Sequence, residues 1–191
     1  SAANFAFTNR QIITHLVRQA FEVQFGKGWG KLGMGLLYDC CHNIAKKETV
    51  SFGGRALRVC IHRKGATRAL PPGDTRLPDR FRKTGQPVLV PGDMGRMSYI
   101  LAGDGNAGET FFSACHGAGR LLSRQKAKKF AKGRRLVEEL ERQGIRVMAA
   151  SRSTLSEEIP EAYKDVTEVV STMSGAGVAR IVARLRPLAV V

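Results

Sequence analysis

Apolar and polar positions follow two rhythms along this chain. Over residues 9–25, Ile12, Ile13, Leu16, Val17, Ala20 and Phe21 recur at helical spacing, with Arg10 and Arg18 on the other side, which predicts an amphipathic helix. His15 falls inside it and reads as a partly buried packing residue. Beyond the glycine-rich stretch 26–35 the rhythm shortens. Leu36-Leu37-Tyr38, Ala56-Leu57-Arg58-Val59-Cys60-Ile61, Pro87-Val88-Leu89-Val90 and Met97-Ser98-Tyr99-Ile100-Leu101 are short apolar runs expected as strands. His42 and His62 fall just past the ends of the first two. Residues 71–78, bounded by Pro71 and Pro78, form the main irregular segment.

The helical rhythm then returns. Ser123 is placed to cap a helix running to about Gln143, with Gly144 as its stop. Further helical spacing near residues 165–173 separates two more expected strands, at 146–150 and 181–185. No internal repeat or low-complexity tract interrupts the pattern. Together these elements predict an α+β fold, a mixed β-sheet core with flanking helices, in one domain over residues 1–191.

Charge narrows the partners. Lys and Arg number 31 against 16 Asp and Glu, a formal net charge of +15, which favours polyanions through steering and counterion release. Nucleic acid is the simplest such partner. A membrane surface fits less well, because no apolar run approaches the length of a spanning helix. Arg124, Lys126, Lys128, Lys129 and Lys132 crowd the start of the expected 123–143 helix as a candidate RNA-facing patch, with a solvated charged face as the alternative. Cys40, Cys41, Cys60 and Cys115 make no C-x-x-C pair, so a four-cysteine zinc site is disfavoured and reduced thiols in the cytoplasm are expected. No charged and apolar leader precedes the fold, so secretion has no support from the sequence, and because the chain opens at Ser1 without a methionine an upstream start is an expectation.

The candidate chemistry sits in three glycine-rich loops. Cys115-His116-Gly117-Ala118-Gly119-Arg120 surrounds a histidine with small residues and follows it with a cation. His62-Arg63-Lys64-Gly65-Ala66-Thr67-Arg68 repeats that logic, and Pro91-Gly92-Asp93-Met94-Gly95 adds a tight turn. Backbone without Cβ atoms lets a phosphoryl group approach closely, and a neutral imidazole is a competent nucleophile near pH 7. A short motif of this kind is by itself more often structural than catalytic.

These loops, together with Cys41-His42-Asn43-Ile44-Ala45-Lys46-Lys47-Glu48 and the stretch 116–124, closely resemble the RtcB-type RNA-splicing ligases, in the family's order and spacing from Ala2 to Val191. The resemblance implies GTP- and manganese-dependent joining of an RNA 3′-phosphate or 2′,3′-cyclic phosphate to a 5′-hydroxyl end, through a histidine carrying GMP. It implies His116 as the nucleophile and His42 as a metal ligand. His42, Asn43, Pro91, Gly92, Asp93, Met94, Ser98, His116, Gly117, Ala118, Gly119 and Tyr163 become nucleotide contacts, with Tyr163 lining the guanine pocket. Lys64, Arg68, Arg120 and Arg124 become the cations around RNA ends or triphosphate, with His62 either touching RNA or serving structure. The family often carries serine or threonine where Asp93 stands, and this carboxylate is expected to accept hydrogen bonds from guanine's N1 and amino group.

The resemblance also implies parts that this chain lacks. The family's two-metal site draws an aspartate, a cysteine and two further histidines from a longer N-terminal portion, and a lysine and glycine beyond the position of Val191 help bind guanine. The chain then reads as the C-terminal portion of an RtcB-like catalytic domain, whether a fragment, half of a split ligase needing a partner chain, or a degenerate binder. The other readings are a non-catalytic basic RNA-binding module and, more weakly, a phosphatase or cyclic phosphodiesterase working through phosphohistidine.

Overall fold

A computed structural model describes residues 2–149 and 151–191, with Arg152 described only in its backbone. Its helices and small sheets make the chain α+β, as the two rhythms predict. The first helix, α1 (Ala2–Phe25), starts well before residue 9 and has no buried residue. Phe5, Leu16, Phe21 and Val23 all face solvent. His15 is likewise exposed, which corrects its reading as a packing residue. The helix is held instead at its polar side. Arg10 pairs with Asp39, while Arg18 donates to the Met34 carbonyl at 2.9 Å and lies 4.1 Å over the Trp29 ring.

Residues 36–38 do not form a strand. Tyr38 packs against the buried cluster of Leu70, Leu77 and Phe81 and meets Gln86 through its hydroxyl. Leu36 and Leu37 remain exposed, with no neighbouring strand to cover them. The first strand is β1 (Asn43–Phe52), paired antiparallel with β2 (Arg55–Lys64) from Asn43↔Lys64 to Phe52↔Arg55. Gly53 and Gly54, with φ of +55° and +75°, close this hairpin in the left-handed conformation that a two-residue turn between twisted strands requires. His42 therefore precedes a strand and His62 lies inside one, which corrects their expected places past strand ends.

Next come β3 (Ala66–Arg68), the single-turn α2 (Asp79–Arg82), β4 (Pro87–Val90), β5 (Ser98–Gly103), a 3-10 turn (Gly105–Thr110) and β6 (Ser113–Cys115). The expected helix over 123–143 is two helices, α3 (Arg124–Phe130) and α4 (Leu136–Arg142). Gly133, at φ +82°, breaks them apart, since glycine favours that conformation and weakens a helix interior. Both expected ends hold: Ser123 accepts the Lys126 amide at 3.3 Å, and Gly144 has φ +77°. The strand expected over 146–150 shrinks to β7 (Arg146–Val147), and Ala150 lies outside the described residues. The chain finishes with α5 (Arg152–Glu157), a 3-10 turn (Pro160–Ala162), α6 (Val166–Gly175), β8 (Ala179–Leu185) and β9 (Ala189–Val190).

The main core sits on the antiparallel sheet β4-β5-β8. Val88, Val90 and Leu101 from the sheet meet Val166, Val170 and Met173 from α6, all buried. A second cluster joins Ala127, Leu136, Leu155 and Ile159 beneath α3, α4 and α5. Leu101→Ala, at a fully buried central position, is expected to lower stability by about 2–5 kcal/mol, read from the denaturant midpoint. Among the described residues no helix is long and apolar enough to cross a membrane.

Candidate active site

The loops that the sequence singles out converge where these sheets meet. The short ribbon β3–β6 runs Ala66↔Cys115, Thr67↔Ala114 and Arg68↔Ser113, and the His116 amide then donates to the Gly65 carbonyl at 3.0 Å. This places His116 beside His42 at the foot of β1. The two rings stack with centroids 4.2 Å apart and planes 15° from parallel. The His116 Nδ1 atom is buried without a hydrogen-bond partner among the described residues. Burial, and next the neighbouring His42, pull the His116 pKa below the ordinary histidine value of 6.5, while the Leu89 backbone acts the other way. Burial and His42 both favour the neutral imidazole over the cation.

Around the ring lies a cavity of about 630 Å³ lined by His42, Pro91, Gly92, Asp93, Met94, His116, Gly117, Ala118, Gly119, Glu158, Tyr163, Lys164, Ala189 and Val190. Among the described residues, the amide N–H groups of Gly117, Ala118 and Gly119 donate to no protein group. Successive free amides beside a buried imidazole suit an anion such as phosphate.

The turn at 91–95 is built by its own side chains. Asp93 Oδ1 accepts from the amides of Gly95 and Arg96, each at 3.0 Å, and Oδ2 lies 3.5 Å from Arg96 Nε. Burial is the largest influence on this carboxyl and raises its pKa, against the stabilising amides and Arg96. The Asp93 side chain is only 1% exposed and its oxygens are engaged by its own turn, while the residue itself belongs to the cavity wall. Ser98 Oγ accepts the Gly92 amide at 3.1 Å, and Asn43 Oδ1 accepts the Gly65 amide at 3.1 Å. Both support the loops without lining the cavity. Ser98→Ala is expected to cost about 1 kcal/mol through the lost bond to the Gly92 amide, checked by chemical denaturation.

Tyr163 lines the opposite side. Its hydroxyl donates to Glu158 and accepts from Arg120 Nη1 at 2.7 Å, and Arg120 stands 4.7 Å over its ring. Burial and then Glu158 raise the tyrosine pKa. Arg120 also bonds Glu158 Oε2 at 3.0 Å and the carbonyls of Leu122 and Glu157. These bonds hold it against Tyr163, and it does not itself line the cavity. Arg124 lies 3.4 Å from Glu157, which also takes Lys128 at 2.8 Å. Lys126, Lys129 and Lys132 are exposed, with no ion pair among the described residues. Lys64 is exposed at the end of β2, and Arg68 donates to Gln86 at 3.3 Å. His62 is exposed opposite Ala45.

Sequence reasoning missed Glu158, Lys164, Ala189 and Val190. The last two arrive only through the parallel pairing of β9 with β7. The acidic pair at 157–158 ahead of Pro160 was the available signal for Glu158.

Residues 1–191 match the family described as tRNA-splicing ligase RtcB. The chain is similar to the tRNA-splicing ligase RtcB of Pyrococcus abyssi, 51% identical over 191 residues, covering 100% of this chain and 21% of that protein. Against the Pyrococcus furiosus protein of the same name it is 52% identical over 192 residues, covering 100% and 20%. Against that of Thermococcus kodakarensis it is 51% identical over 191 residues, covering 100% and 40%. The chain thus spans two-fifths or less of the length of these relatives.

Proposed function

This chain belongs to the tRNA-splicing ligase RtcB family, and on that premise we propose that it forms the C-terminal portion of a GTP-dependent RNA ligase whose nucleophile is His116. The observation that carries this reading is an imidazole whose Nδ1 is buried without a hydrogen-bond partner among the described residues, sharing one cavity with the free amides of the glycine loop. A ring nitrogen of neutral His116 attacks the α-phosphorus of GTP; the N–P bond forms as the bond to pyrophosphate breaks. The adduct then passes GMP to an RNA 3′-phosphate, activating it for attack by a 5′-hydroxyl. The amides of Gly117, Ala118 and Gly119 hold phosphoryl oxygens, and Tyr163, fixed by Arg120 and Glu158, borders the base. Lys64, Arg68, Arg124 and the exposed lysines of α3 supply charge toward RNA.

Manganese is a separate matter. Among the described residues no three His, Cys, Asp or Glu side chains gather to hold a metal, and one imidazole, His42, does not retain a divalent ion without further ligands. The residues present therefore do not complete a manganese site, and none of these steps is routed through the ion. The remaining ligands belong to the N-terminal portion that the resemblance implies, on the same polypeptide or a partner's. Cytoplasmic RNA, such as tRNA halves, is the proposed substrate.

The test is to incubate the chain, alone and joined to that N-terminal portion, with labelled GTP and Mn²⁺. An acid-labile label on protein is expected in the joined form. A joined form that binds RNA but takes no label would favour the non-catalytic RNA-binding module.

Two further outcomes follow from the geometry. Because the His116 pKa is depressed, the acid limb of GMP transfer should fall below pH 6.5, where an ordinary histidine would already be half protonated; a pH–rate profile measures it. Asp93→Ala should weaken GTP and ATP binding together by loosening the turn, read by competition titration. A selective loss of GTP would restore a base-reading role.

A further inference from the structure

Arg63 lies within the 62–68 motif, yet only 3% of it is exposed. It cannot be a cation for incoming RNA. Its fork reaches groups far apart in sequence: Nη1 donates to Glu48 at 2.6 Å, Nε to Ser113 Oγ at 2.9 Å, and Nη2 to the Phe111 carbonyl at 3.0 Å. The last two partners flank the least comfortable backbone in the described chain. Phe111 and Phe112 both have left-handed φ, +51° and +53°, the only non-glycine residues described that do. Such residues are disfavoured because Cβ crowds the following carbonyl, and they persist only where surroundings hold them. Phe112 packs its ring against the Leu70, Leu77 and Phe81 cluster and under Arg76, but Phe111 is exposed, so burial of a ring does not hold that half of the turn.

The turn leads straight into β6, whose three pairs with β3 end one residue before His116. In so short a ribbon, a slip of one position turns every side chain to the opposite face. The backbone of Arg63 belongs to β2, which delivers the Gly65 carbonyl to the His116 amide, while its side chain grips the residues that enter β6. We propose that Arg63 is a positioning residue for His116, clamping the left-handed Phe111–Phe112 turn so that β6 enters in register and the imidazole faces the cavity. This rests on the proposed guanylylation for its kinetic consequence, though the geometry itself does not. Lysine keeps the charge beside Glu48 but has no planar fork to span Ser113 and the Phe111 carbonyl.

The test uses the chain joined to its N-terminal portion. In Arg63→Lys the single-turnover rate constant for GMP transfer to protein should fall about 100-fold, the scale of a 1 Å misplacement, with half-saturating GTP unchanged. Amide exchange should quicken at His116 and Ala69, whose amides bond Gly65 and Phe112 across this ribbon, while β4, β5 and β8 stay protected. Adding Phe111→Gly, at the exposed position of the pair, should restore at least tenfold of the rate and slow that exchange, because glycine takes positive φ without strain. An Arg63→Lys protein that labels at the parental rate with unchanged His116 exchange overturns the proposal. So does one that loses protection throughout the β4-β5-β8 sheet, or gains nothing from Phe111→Gly. If the parent takes no label, the guanylylation reading fails, and amide exchange alone decides the clamp.

Discussion

Replacing His116 with alanine is expected to remove GMP transfer to the protein entirely and to lower RNA joining by on the order of 10⁴-fold or more, the scale seen when a covalent nucleophile is deleted. The fold should survive. His116 is only partly buried, its Nδ1 bonds no group among the described residues, and its amide bond to Gly65 does not depend on the side chain. The comparison is therefore clean: a thermal midpoint close to that of the parent together with lost labelling. His116→Asn keeps a polar side chain of similar reach, yet should be equally inactive, because an amide nitrogen is not a nucleophile at neutral pH.

Gly92→Ala should be nearly as damaging from a residue with no chemistry of its own. A Cβ at that position would stand 2.0 Å from the Met97 carbonyl oxygen and 2.9 Å from its carbon, both backbone atoms that cannot swing aside. The turn over residues 91–95 must move. That breaks the bond from the Gly92 amide to Ser98 and displaces Pro91, Asp93 and Met94 from the cavity wall. Nucleotide affinity should fall by about 100-fold, with a stability loss of about 1–3 kcal/mol from overpacking. Isothermal titration with GTP and a denaturant melt measure the two effects. Gly119→Ala is a useful contrast: a Cβ there meets nothing within 4 Å, and the cost is confined to its φ of +79°.

What could be read in advance divides along physical lines. Glycine turns announce themselves locally, and so the 91–95 and 116–120 loops were legible as a site before any contact was known. The cavity brings together His42, Pro91 to Met94, His116 to Gly119 and Tyr163, residues spread over most of the chain. The strand β1 was not legible, because Lys46, Lys47 and Glu48 interrupt its apolar pattern, and its covered face sets Glu48 between Ile44 and Val50 while the other face is exposed. The run at 36–38 looked like a strand by composition but finds no partner, and pairing rather than apolar content makes a strand. Gly133 was visible inside the basic stretch, yet its effect depends on a chain reversal that helical periodicity does not encode. Arg120 and Asp93 illustrate the same limit at the level of charge. A cation or carboxylate beside a glycine-rich loop reads as a ligand contact, and only tertiary structure shows its hydrogen bonds to Glu158 or to the turn's own amides. The exposed apolar face of α1 is consistent with a chain that spans only part of its relatives' length.

The most direct measurement is peptide mapping by mass spectrometry after the chain, joined to its N-terminal portion, has been exposed to GTP and Mn²⁺. The account predicts a guanylyl group on the peptide bearing His116, lost on mild acid treatment and released as RNA ends are joined. A guanylyl group on a different residue, or efficient joining of RNA ends by the His116→Ala protein, would contradict it.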